Sequence, residues 1–289
     1  MRIPAKSLLG GAAACAVGFG IVLALAYWSA DARAVDSVAL QGFSGLDRPG
    51  SRGLINRLID IGNPAPVAFI GLLLALTAIA RGRPRVALFV LALIAVTSAS
   101  SQALKALLAH PRPHGVPVGI ADAAFPSGHA TAIMSLAIAL VVTMPARLRP
   151  AAAAFGLGLV VAVSYSLVTS GGHFPSDVVG GYLLATGTAL ALLAGLRAAD
   201  ARYPEREGRR KALLTARRWT ERLAAVGLAA GLGLGVLAAG ALAGLAALRG
   251  PQILDYAREN TAFFAVAGLL ALSALVLLGA LTSVLSRRT

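Results

Sequence analysis

A chain of 289 residues that is 57% hydrophobic and only 13% charged does not have the composition of an ordinary water-soluble globule, and its mean hydropathy of +0.78 points to the membrane. The formal net charge of +14 would suit nucleic acid or an anionic surface in a soluble protein; in a membrane chain, the placement of Lys and Arg between loops says more than their sum. Cys15 is the one cysteine, which excludes an intrachain disulfide framework and a cysteine-based metal site and leaves a small apolar packing residue.

A helical span needs ~20 mostly apolar residues to cross ~30 Å of hydrocarbon. Eight runs qualify: Leu8–Trp28, Ile61–Ala80, Val86–Leu108, Ser127–Met144, Pro150–Thr169, Val178–Leu196, Leu223–Leu248 and Ala262–Leu285. They are far longer than the ~10-residue alternating strands of a membrane barrel, so the predicted fold is all-α, a polytopic transmembrane helical bundle. The first run is longer than a secretory signal core and is read as a retained helix. Between it and the second, Leu54, Ile55, Leu58 and Ile59 recur at helical spacing with Arg52, Arg57 and Asp60 elsewhere, which predicts a short interfacial helix. The second run is the weakest, because Gly62, Asn63, Pro64 and Pro66 shorten it.

Placing the N-terminus in the cytoplasm puts Arg2, Lys6, Arg81, Arg83, Arg85, Arg147, Arg149, the basic residues between Arg197 and Arg222, Arg287 and Arg288 on the inner side. Fewer fall outside: Arg33, Arg48, Arg52, Arg57, Lys105, Arg112, Arg249 and Arg258. This asymmetry predicts that both termini are cytoplasmic. Residues 197–222 form a basic linker, suited to setting topology or to holding anionic headgroups, and divide a six-helix core (1–196) from a two-helix extension (223–289). Gly227, Gly231 and Gly235, then Gly240 and Gly244, recur at four-residue intervals in the run 223–248. That spacing permits close helix contact, on the core or in a homo-oligomer.

Three clusters of polar residues fall at helix ends on the predicted outer side, where such residues are expensive and therefore functional candidates. In the first, Lys105 ends the third span and Pro111 and Pro113 bracket Arg112. The two cations can neutralise a phosphate, Arg as a planar fork and Lys as a point charge. The second, Phe125-Pro126-Ser127-Gly128-His129, opens the fourth span. Its first-turn N–H groups make an anion site, Gly128 lets a ligand approach the backbone, and His129 stands where it could protonate a leaving oxygen. The third runs from Ser166-Leu167 through Gly171-Gly172-His173-Phe174-Pro175-Ser176-Asp177. There the four-residue offset lets Asp177 accept an imidazole N–H and leaves the other nitrogen of His173 to attack. Together these are the parts that phosphoryl transfer without a metal requires, and His110 and His114 are too loosely placed to argue for one.

In order and spacing the clusters resemble the signature of the type 2 phosphatidic acid phosphatase (lipid phosphate phosphatase) superfamily: Lys-x6-Arg-Pro, Pro-Ser-Gly-His, then Ser-Arg-x5-His-x3-Asp. Lys105, Arg112 and Pro113 match the first part, Pro126, Ser127, Gly128 and His129 the second, and Ser166, His173 and Asp177 the third. The resemblance covers roughly residues 61–196. It implies that His173 forms a phosphohistidine, that His129 protonates the departing lipid oxygen and that Asp177 orients His173. It also implies that Lys105, Arg112, Ser127 and the Gly128 N–H grip the phosphate. Where the family has Arg in its third part, this chain has Leu167. Losing a transition-state donor commonly costs ~10²–10³ in rate. Either His110, His114 or an outer-loop Arg substitutes, or the substrate needs less charge, or the enzyme is slow or inactive; the retained histidines, Asp177, Lys105 and Arg112 favour a working enzyme.

The expected activity is metal-independent and cofactor-free hydrolysis of a membrane lipid phosphate at the outer face of the plasma membrane. Polyprenyl diphosphate, phosphatidate and phosphatidylglycerophosphate all fit, and nucleic acid is not an expected partner. A transferase passing the phosphoryl group to another acceptor uses the same parts. A non-catalytic phospholipid carrier would need charge near mid-membrane, and here the charges sit at helix ends on one side.

Overall fold

The computed structural model describes residues 4–109, 120, 122–202, 255–256 and 258–286. Among these residues the chain folds into nine α-helices: α1 (Ala5–Trp28), α2 (Ala30–Ser44), α3 (Pro49–Ile61), α4 (Pro64–Ala80), α5 (Pro84–Leu108), α6 (Gly128–Thr143), α7 (Arg149–Thr169), α8 (Pro175–Arg202) and α9 (Thr261–Ser286), with a 3₁₀ turn at Ala146–Leu148. The all-helical bundle agrees with the sequence reading. The expected span 223–248, its glycine spacing and most of the basic linker lie outside the described residues. Helix α8 continues through Arg202, past the expected start of that linker at 197.

Five helices, α1, α5, α7, α8 and α9, are long and apolar enough to cross a membrane. A sixth crossing arises if α3 and α4 count as one span broken by a 54° bend. Pro64 cannot continue a helix begun at Pro49, and it pushes Asn63 into extended backbone (φ −66°, ψ 153°). The short interfacial helix expected from Leu54, Ile55, Leu58 and Ile59 is therefore α3, joined to α4 through a sharp elbow. Ile55 is buried, whereas Leu54 is 63% exposed. Helix α2 was not expected at all. Ser29 caps it by accepting the Ala32 N–H at 3.2 Å, and Asp31 favours its positive N-terminal end.

Helix α6 is only 16 residues long but packs against α4, α5, α7, α8 and α9. It is apolar all round because it is the buried centre of the bundle. Helix α1 lies along α8. Helix α9 packs on α2, α7 and α8, where Tyr165 donates to the Ala267 carbonyl at 2.7 Å and the rings of Phe43 and Phe263 meet edge-on at 4.6 Å. The last expected span thus belongs to the same packed body as the core.

The two ends of the bundle are chemically different. At one end Arg81 donates to the Thr143 carbonyl at 2.7 Å, Arg83 to that of Val142 at 3.1 Å and Arg149 to that of Leu285 at 2.7 Å. These cations satisfy the terminal carbonyls of α6 and α9 and complement the negative ends of their dipoles. The opposite end gathers the N-termini of α4, α6 and α8.

Candidate active site

Two short turns carry the histidines, and one backbone bond clips them together: the Ser127 N–H donates to the Asp177 carbonyl at 2.9 Å. Helices α6 and α8 can approach this closely because residue 181 is glycine. A Cβ there would fall 2.8 Å from the Ser127 carbonyl oxygen, inside van der Waals contact. The chain reaches the second turn because Gly171 ends α7 at φ 75°, a conformation that costs glycine little.

Asp177 is fully buried. Its Oδ2 accepts the Phe174 N–H at 2.9 Å and faces His173 Nδ1 at 3.4 Å. One carboxylate at the third position of α8 therefore caps the helix and orients the imidazole, which is itself buried. Asp36 of α2 accepts both the Ser176 N–H, at 3.1 Å, and the Ser176 hydroxyl, and so ties α2 to the same turn.

On α6, Ser127 is the N-cap. Its Oγ accepts the Ala130 N–H at 3.3 Å, and the hydroxyl still has a proton to donate. The N–H groups of Gly128 and His129 have no intrahelical acceptor, as at any helix start. Lys105, in the last turn of α5, lies over this turn: a side chain grafted onto Gly128 would put its first carbon 3.8 Å from Lys105 Nζ. The charge of Asp177 acts on Lys105, and those of His173, Lys105 and Asp60 act on the His129 ring. Lys105, Ser127, Gly128, His129, His173 and Asp177 thus converge at one end of the bundle. Arg112, with His110 and His114, lies outside the described residues. Leu167, where the family signature has Arg, is 3% exposed and part of the apolar core.

Three residues that sequence reasoning did not select join the site. Ser101 is 1% exposed, its hydroxyl has no partner, and its Oγ is 3.5 Å from where a Cβ on Gly128 would stand. The signal was available, because Ser101 is one helical turn before Lys105 and shares its face. The others are Asp60 and Asn63 at the α3–α4 elbow. His129 Nε2 is 2.9 Å from Asn63 Oδ1, and Asn63 Nδ2 donates to Asp60 Oδ1 at 3.0 Å. Among the described residues, no group of three or more His, Cys, Asp or Glu is placed to hold a metal ion.

Known proteins resemble this chain. Residues 86–200 match the model of the PAP2 superfamily. The crystal structure of a transmembrane PAP2-type phosphatidylglycerolphosphate phosphatase from Bacillus subtilis superimposes with a TM-score of 0.53 at 21% identity, over 68% of this chain and 98% of that one. No curated protein sequence matches the chain. Residues 86–200, which hold the three motifs, are therefore similar to the PAP2 superfamily, and the chain shares the fold of a membrane PAP2 protein.

Proposed function

We propose that this protein is a lipid phosphatase that works through a phosphohistidine on His173, without a metal. The observation that carries this reading is the Ser127–Asp177 backbone clip, which holds a buried, carboxylate-oriented imidazole beside an open helix N-terminus roofed by Lys105. The substrate phosphate binds at the α6 N-terminus, its oxygens facing Lys105, the Ser127 and Ser101 hydroxyls and the Gly128 N–H, and the motif match alone assigns Arg112 to the same task. With its Nδ1–H given to Asp177, His173 attacks phosphorus through Nε2. The P–N bond forms as the P–O bond to the lipid breaks, and the departing oxygen takes a proton from His129. Neutral His129 then removes a proton from water as that water displaces phosphate from His173, which returns both imidazoles to their starting states.

The arginines on the α6 and α9 carboxyl ends support a cytoplasmic assignment of that side by the positive-inside rule, and in this reading the site faces outward with both termini inside. The substrate carries its phosphate in the interface and its tail in the bilayer. The fold likeness to the phosphatidylglycerolphosphate phosphatase makes that lipid class the first to test, ahead of phosphatidate and polyprenyl diphosphate. Purified protein in detergent with chelator present is expected to release phosphate from such lipids, and His173→Ala to abolish release. Activity that needs a divalent cation, or that survives His173→Ala, would overturn the mechanism.

A further inference from the structure

The elbow between α3 and α4 contains an asparagine whose side chain is withheld from its ordinary use. Asn63 is the N-cap of α4, yet its carboxamide caps nothing. An N-cap side chain normally accepts from the second or third N–H of the helix, and the third residue here is Pro66, which has none. The carboxamide is instead held between Asp60, on α3, and His129, on α6.

The chain of bonds has one consistent set of protons. A carboxylate such as Asp60 only accepts, so Asn63 must turn its NH₂ toward Asp60 and its oxygen toward His129. That oxygen only accepts, so His129 Nε2 must carry hydrogen. The ring is pinned on the same edge by the backbone, since a Cβ on Gly62 would lie 3.0 Å from His129 Cδ2. With Cδ2 and Nε2 both against the elbow, Nδ1 occupies the opposite edge of the imidazole, away from α3 and α4.

We propose that Asn63, backed by Asp60, is the positioning residue of the acid in this site: it keeps a proton on His129 Nε2 throughout the cycle and makes Nδ1 the nitrogen that gives and recovers the catalytic proton. This rests on the phosphatase reading above and adds which atom does the work and what orients it. It parallels the pairing of His173 with Asp177, with a neutral carboxamide in place of the carboxylate. His129 can therefore return to the uncharged state that the second step requires. The charged and titratable groups acting on His129 are His173 from the turn between α7 and α8, Lys105 from α5 and Asp60 from α3.

The test uses the full chain in detergent and two substrates, a lipid phosphate whose alkoxide must be protonated and p-nitrophenyl phosphate, whose phenolate leaves without a proton. Asn63→Ala is expected to lower kcat/KM on the lipid about 10²-fold and to change kcat/KM on p-nitrophenyl phosphate far less, because that ratio reports formation of the phosphohistidine and not the water step the two substrates share. Asn63→Asp, which keeps an acceptor for Nε2–H, is expected to recover at least about tenfold of that loss and to move the alkaline limb of the pH profile upward. Nitrogen-15 histidine spectra, with His129 assigned by its loss in His129→Gln, should show the Nε2–H tautomer in the wild type and not in Asn63→Ala. An Nδ1–H tautomer in the wild type, or equal losses of kcat/KM on both substrates, would overturn this proposal alone. A wild type inactive on every phosphate would overturn the phosphatase reading with it.

Discussion

The two ends of α6 use similar resources to opposite effect. At its carboxyl end, Arg81 and Arg83 donate into the Thr143 and Val142 carbonyls, and the cations are consumed in finishing a helix. At its amino end, the Gly128 and His129 N–H groups open onto a site roofed by Lys105, with the Ser101 hydroxyl buried and unpartnered beside them. A cation at a helix carboxyl end meets acceptors already in the chain. The same charge at an amino end meets donors like itself, and the arrangement is complete only when an anion enters. Under the proposed mechanism, this contrast separates basic residues that are scaffold at one end from the one that serves the chemistry at the other.

The largest effect expected from breaking the contrast is at Asp177. Asp177→Asn should lower kcat about 10³-fold by leaving the His173 tautomer unfixed, measured as phosphate release from a lipid phosphate. Ser101→Ala should cost about tenfold in kcat/KM and leave the thermal midpoint unchanged or raised, because the hydroxyl it removes is unsatisfied in the free protein. Leu167→Arg should hold or raise turnover, by no more than about tenfold. The same change should lower thermal stability, since its stem enters packed core. A folded variant with sharply reduced turnover would show that this position does not face the phosphate. At the opposite end, Arg81→Leu should lower stability by about 1–2 kcal/mol through lost capping of α6. Its kcat should stay within about twofold of wild type. A large loss of turnover there would mean that the two ends are not separable.

Much of this was legible in the sequence, for physical reasons particular to membranes. Long apolar runs announce helices because lipid leaves the backbone no other partner: five of the expected spans are α1, α5, α7, α8 and α9, whereas those expected at 61–80 and 127–144 are the shorter helices α4 and α6. The weakness noted around Gly62, Asn63, Pro64 and Pro66 is real: it is the elbow. Its chemistry was not legible, because an asparagine among prolines reads as a helix breaker until the fold brings His129 to it. Helix α2 was missed because Asp31, Arg33 and Asp36 interrupt its apolar pattern, and the fold uses Asp36 to hold the α8 N-terminus. Ser101 was passed over because hydroxyls on membrane helices commonly bond their own backbone, as Thr97 does to the Leu93 carbonyl at 2.7 Å. The histidine clusters were visible because their spacing, four residues from His173 to Asp177, is short enough to survive without knowledge of the tertiary structure.

The central claim is that His173 becomes covalently phosphorylated. Rapid acid-free quenching of the enzyme with a lipid labelled in its phosphate should trap a label that is stable to alkali, labile to acid, and mapped to the peptide containing His173. The label should be absent from His173→Ala and should persist longer in His129→Ala, which lacks the base for the second step. Steady phosphate release by the wild type with no such adduct at any quench time, even in His129→Ala, would contradict the account.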